Sequence, residues 1–91
     1  MEREWPFEDP PNVAVFTLTK ILHDGQPILL VAHDEDDGAW QFLDGDEVRA
    51  EEAALVSLKT IVTLDQTVAE LADLPCGWIA WRQQADQPWQ R

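Results

Sequence analysis

Two Asp-Gly pairs, Asp24-Gly25 and Asp37-Gly38, punctuate three short runs rich in β-branched and aromatic residues: NVAVFTLTKIL, PILLVAH and AWQFL. That punctuation constrains the fold more than any other feature. Asp-Gly suits a two-residue hairpin turn, in which both positions take a positive φ. It predicts an N-terminal, three-stranded antiparallel meander. Counting outward from Asp24-Gly25 sets His23 opposite Gln26, Leu22 opposite Pro27, Leu18 opposite Val31 and Phe16 opposite His33. Pro27 then falls in a non-hydrogen-bonded pair, where its missing N–H costs the hairpin nothing. A two-residue turn at Asp37-Gly38 sets His33 opposite Phe42 and Glu35 opposite Trp40, although the acids around it also suit a longer loop. One face of the meander then carries Phe16, Leu18, Leu29, Val31, His33, Trp40 and Phe42, and such a face needs a cover.

Beyond Ala53 the pattern changes. Short apolar runs such as ALVSLKTIV suit either strand or helix. Leu55 and Val56 read as extended, and Ser57 as the N-cap of a short turn. In LDQTVAELADLP, Asp65 is placed to cap a helix through its carboxylate. Val68, Leu71 and Ala72 recur at helical spacing, Pro75 ends the helix and Gly77 supplies a turn. GWIAWR is the last strand, with Trp78, Ile79 and Trp81 placing bulk on both faces. Trp40, Trp78 and Trp81 are expected in the core, since a small domain gains most area per residue from Trp. Trp5 and Trp89 are expected to pin the terminal segments down.

The expected fold class is therefore α+β. An antiparallel sheet of four to five strands would carry one main helix packed on one face. A chain of 91 residues makes one domain with a thin core. Within 1–91, residues 1–12 read as an irregular arm rich in Pro, 13–82 as the folded core and 83–91 as an irregular tail.

Charge excludes some partners. Eighteen acids against six bases give a net −12. Nucleic acid is not expected as a ligand, because phosphate binding needs clustered Lys and Arg. An anionic membrane surface fails for the same reason, and no apolar run approaches the roughly 18 residues that span a bilayer. The N-terminus MEREWPFEDPP has no basic start and no apolar stretch, unlike a signal peptide. One cysteine, Cys76, allows no internal disulfide, which suits a reducing cytoplasm. A basic protein partner is favoured instead, through faster encounter.

The acids are unevenly spread. His33–Glu52 holds nine of the 18, Asp34, Glu35, Asp36, Asp37, Asp44, Asp46, Glu47, Glu51 and Glu52, opposed only by Arg49. The run fits no calcium loop of the EF-hand type. With Gly38 at the invariant glycine, His33 falls where the first carboxylate belongs, and the flanks read as strands. A weaker divalent-metal or small-ligand site at Asp34–Asp37 is the alternative reading. Two His and one Cys match no zinc spacing, so no cofactor is expected. His33 reads as a packed sheet residue and His23 as solvated. Cys76 reads as a buried, inert thiol, because LPCGW brings no positive charge. Ser57, the sole serine, has no nucleophile motif around it, and no phosphate-binding glycine loop exists. No catalytic residue is named and no enzyme is expected.

GAWQFLDGDE followed by LDQTVAELADLPCGWIAWR resembles a family of small acidic bacterial proteins of unknown function. The residues that carry the resemblance are Gly38, Trp40, Phe42, Gly45, Asp46, Glu47, Leu74, Pro75, Gly77 and Arg82, spanning roughly residues 12–82. Some relatives in that family are thought to be immunity proteins of toxin systems, so the resemblance implies binding and blocking a toxin. Asp46 and Glu47 would end a strand, with Asp34–Asp37 at its other end, about 20 Å away. The acids then form a ridge rather than one compact site. The expected function is a non-enzymatic protein-binding module that sets Asp34, Glu35, Asp36, Asp37, Asp46 and Glu47 against a basic protein.

Overall fold

The structure, a computed structural model, describes residues 5–91. The first four residues of the expected arm lie outside that range. The run Ala14–Leu18 forms β1, and the chain leaves the sheet at once: Thr19–His23 is a helical turn, α1. Asp24 closes it, donating its N–H to the Lys20 carbonyl at 3.0 Å. Asp24 itself has φ −107° and only Gly25 is left-handed, at φ 75°. The expected type I′ hairpin is therefore absent. The same dipeptide chemistry serves a helix end, where glycine takes the left-handed position past the last turn. Winding also turns Ile21 into the core, where it is buried with Ile28.

The remaining elements are β2 (Leu30–His33), β3 (Trp40–Leu43), β4 (Ala53–Ser57), α2 (Leu58–Leu64) and β5 (Ile79–Trp81). Short 3-10 segments cover Ala50–Glu52 and Gln66–Leu71. The fold is α+β, with a five-stranded sheet ordered β4-β1-β3-β2-β5. That sheet is mixed rather than antiparallel throughout, because β1 and β3 run parallel, with Phe16 beside Gln41. β3 thus occupies the place beside β1 that the expected meander assigned to β2. The pairings of Leu18 with Val31 and Phe16 with His33 do not form.

The second hairpin does form, two residues out of the expected register. His33 pairs with Trp40 and Val31 with Phe42. The loop lengthens accordingly and is closed by Asp34 N–H donating to the Ala39 carbonyl at 2.8 Å. An even shift leaves every side chain on its own face, so Val31, Trp40 and Phe42 are still buried.

Ser57 caps α2 by accepting from the Thr60 N–H at 3.1 Å, and Asp65 caps the next segment by accepting from Thr67 at 3.0 Å. That segment is 3-10 rather than α. Its buried residues, Val68 and Leu71, join Leu58, Ile61 and Leu74 in one cluster with Val15, Val31, Trp40, Phe42 and Ala80 of the sheet. Arg82 lies buried beside them. Its guanidinium donates to the Ile28 carbonyl, to Thr67 and to Asp65, and stacks 4.1 Å over Trp89. Trp5 and Trp89 are half-buried against the cluster. At the edge of β5, Gln90 pairs with Trp81.

Candidate functional site

The two groups of acids stand at opposite ends of β3. Asp34–Asp37 lie in the β2–β3 loop, and Asp46 and Glu47 follow the far end of the strand. Two of the first group serve the loop itself. Asp34 Oδ1 accepts from the Asp36 N–H at 2.8 Å, and Asp37 Oδ1 accepts from the Ala39 N–H at 2.9 Å. Glu35, Asp36, Asp37, Asp46 and Glu47 are exposed, and Asp34 is half-buried. Among the described residues, no three His, Cys, Asp or Glu side chains come together as a metal site.

Asp44 leaves the free set altogether. It is buried and takes Lys20 Nζ at 2.8 Å, while its Oδ1 accepts from the Asp46 N–H at 3.1 Å. Burial works to raise its carboxyl. The Lys20 hydrogen bond and the Asp46 N–H outweigh it and hold the group below the ordinary aspartate range. The same bond raises Lys20 above the ordinary lysine range.

At the loop end of β2, the His33 ring stacks on Trp40 at 3.9 Å between centroids. Nδ1 lies 2.7 Å from the Leu74 carbonyl and Nε2 lies 3.1 Å from that of Gly38. Cys76 Sγ stands 3.7 Å from Nε2. The thiol is exposed, not buried as the sequence suggests, because Pro75 and Gly77 turn the chain outward between Leu74 and β5. Gly77 holds φ 86°, and a Cβ there would sit 3.5 Å from Glu35. A cleft of about 420 Å³ opens here, lined by His33, Asp37, Trp40, Leu74, Pro75 and Cys76 among others.

The sheet's second face is the feature that sequence reasoning missed. Directly paired residues share a face, so Leu55, Phe16, Gln41, Ala32 and Ile79 form one row across all five strands. Leu43, Leu30 and Trp81 lie in the adjoining row. Leu55 is 64% exposed, Ile79 48%, Phe16 45% and Trp81 44%, so this face is open to solvent on β4, β1 and β5 and half-buried at its centre, where Leu30, Ala32, Gln41 and Leu43 lie. Phe16 and Trp81 are therefore not in the core, and nor is Trp78. Gln41 is the one polar side chain in the central row. Beside it lies a depression of about 260 Å³, lined by Phe16, Leu18, Gln41, Leu43, Val48 and Ala53. The sequence did carry the signal: AVFTL, AALVS and GWIAW lack the polar alternation of a sheet with one wet face.

No family model matches the chain, and neither does any curated protein or solved structure. Among the described residues no helix is long and apolar enough to cross a membrane.

Proposed function

We propose that the protein is a non-enzymatic binding module for a basic protein partner. The observation that carries this reading is the open apolar face of the sheet with acids at both ends of its central strand, β3. Monomeric proteins rarely expose a contiguous apolar surface of this kind without a use for it. Interfaces combine an apolar centre with a polar rim, and the depression beside Phe16 suits one anchoring side chain. The rim selects the occupant. Asp34–Asp37 at one end and Asp46 and Glu47 at the other match a partner whose apolar centre is flanked by Lys and Arg. A second copy laid face to face would set acid against acid, each chain carrying −12. The resemblance to immunity proteins supplies the biological form of the proposal: a basic toxin, bound and blocked.

The alternative, a divalent metal or small ligand at Asp34–Asp37, draws less support, since Asp34 and Asp37 already accept from their own loop. The test uses three baits at low and moderate salt: the native chain, an Asp36→Asn/Asp37→Asn/Asp46→Asn/Glu47→Gln variant, and a Leu55→Ser/Ile79→Ser variant. The captured protein is then purified and titrated. A basic protein whose association slows roughly tenfold with the acid variant, and which the face variant fails to hold, supports the proposal. A partner held equally by all three baits, or indifferent to salt, refutes it.

A further inference from the structure

The sheet has two edges, and the chain treats them differently. Gln90 bridges to Trp81 at the β5 edge. At the β4 edge the described residues form no bridge. The direction of the β4 backbone follows from its ladder with β1. Leu58 N–H donates to the Val13 carbonyl at 2.9 Å, in the same register that pairs Val56 with Val15 and Ala54 with Thr17. Hydrogen-bonded and non-bonded pairs alternate along an antiparallel ladder. Val56 and Ala54 therefore turn their N–H and C=O groups toward β1. Ala53, Leu55 and Ser57 turn theirs outward. An unpaired row of this kind is a template for another strand, and proteins usually blunt it with Pro, Lys, a bulge or a covering segment. AALVS contains no Pro, no charge and no glycine.

We infer that β4 is a pairing edge for a second copy of this chain. An antiparallel, two-fold pairing centred on Leu55 sets Leu55 opposite its own copy and Ala53 opposite Ser57. Each of these is an outward-facing residue, so every pair closes two hydrogen bonds. The pairing joins two five-stranded sheets into one. The centre brings Leu55, 64% exposed, against its copy on the open apolar face, with Phe16 flanking each side. Just beyond the paired strands, Glu51 lies in the 3-10 segment before β4 and Lys59 in the first turn of α2, so each end of the two-fold pairing brings the Glu51 end of one copy toward the Lys59 end of the other. Both residues are exposed. The inference is independent of the proposed partner. It covers only the Leu55 margin of the open face and leaves Ile79 and Trp81, at the opposite edge of the sheet, free.

Sedimentation velocity of the full chain alone, from micromolar to millimolar concentration, tests it. A monomer–dimer equilibrium is expected, tightening as salt screens the repulsion between two chains of −12 each. Binding of a basic partner would show the opposite salt dependence. Leu55→Lys, at an exposed position, is expected to hold the monomer at every concentration. In a Cys76→Ser background, Leu55→Cys is expected to cross-link with its copy under mild oxidation. Bonded antiparallel partners stand about 5.5 Å apart between Cα atoms, within disulfide range. Ala54→Cys, turned to the other face, is expected not to. A monomer throughout, a dimer that survives Leu55→Lys, or equal cross-linking at both positions overturns the inference.

Discussion

Arg82 is the residue on which most of the polar packing converges. Its side chain is 1% exposed and its guanidinium meets the carboxylate of Asp65, the hydroxyl of Thr67 and the carbonyl of Ile28. Burying a guanidinium costs free energy that only pairing and hydrogen bonds offset. Asp65 does double duty, since the same carboxylate caps the 3-10 segment at Gln66–Leu71. Asp65→Ala leaves a buried charge without its partner and removes a cap. It is expected to lower the unfolding free energy by about 3 to 5 kcal/mol, measured by urea titration. Asp65→Asn retains an accepting oxygen for the cap and should recover about 1 kcal/mol of that loss. Equal, small losses for both would mean that the pair contributes little. Asp65 was legible in the sequence as a cap, but its pairing with Arg82 was not, because 17 residues separate them.

At the scale of elements, β4 shows how a strand can have two unlike sides along its own backbone. Proline removes a donor wherever it stands in a strand. At Ala54 that donor points into the β1 ladder, and at Leu55 it points outward. Ala54→Pro is therefore expected to destabilise the fold much more than Leu55→Pro, read as the difference in melting temperature by circular dichroism. Comparable losses would refute the assigned ladder phase. Ser57 shows a case where sequence and structure agree, for a local reason. A serine hydroxyl reaches an N–H three residues on whatever the rest of the chain does, and it does so here with Thr60. Asp24-Gly25 shows the opposite. A left-handed glycine suits a hairpin and a helix end equally, and no local signal separates them.

For the molecule as a whole, charge and apolar surface set the behaviour in solution. Nine of the 18 acids fall between His33 and Glu52, and a net −12 on 91 residues favours expansion. Among the described residues only Lys20, Arg82 and Arg91 are engaged with acids. Adding sodium chloride to physiological strength and beyond is expected to raise the melting temperature, since screening weakens long-range repulsion more than the close, partly buried Lys20–Asp44 and Arg82–Asp65 pairs. A melting temperature that falls with salt would show that specific ion pairs outweigh the net charge. Of the acids, Asp34–Asp37 and Asp46–Glu47 stand at the two ends of β3, the central strand of the sheet whose second face carries Leu55, Phe16 and Ile79.

Sequence alone determined what depends on neighbours along the chain. The caps at Ser57 and Asp65, the extended runs apart from Thr19–His23, the β2–β3 hairpin without its register, and the placing of the acids at both ends of one strand are of this kind. Local hydrogen bonding and side-chain periodicity act over a few residues and leave their mark in the order of residue types. Tertiary structure decided what depends on partners distant in sequence. β3 took the place beside β1, and Phe16, Trp78 and Trp81 came to the surface. Asp44 was drawn inside by Lys20, and the outward backbone of β4 was left as an edge. Strand order is chosen by which arrangement buries Val15, Val31, Phe42 and the helical leucines together. That choice is a sum over the whole core, so no single stretch of the chain encodes it.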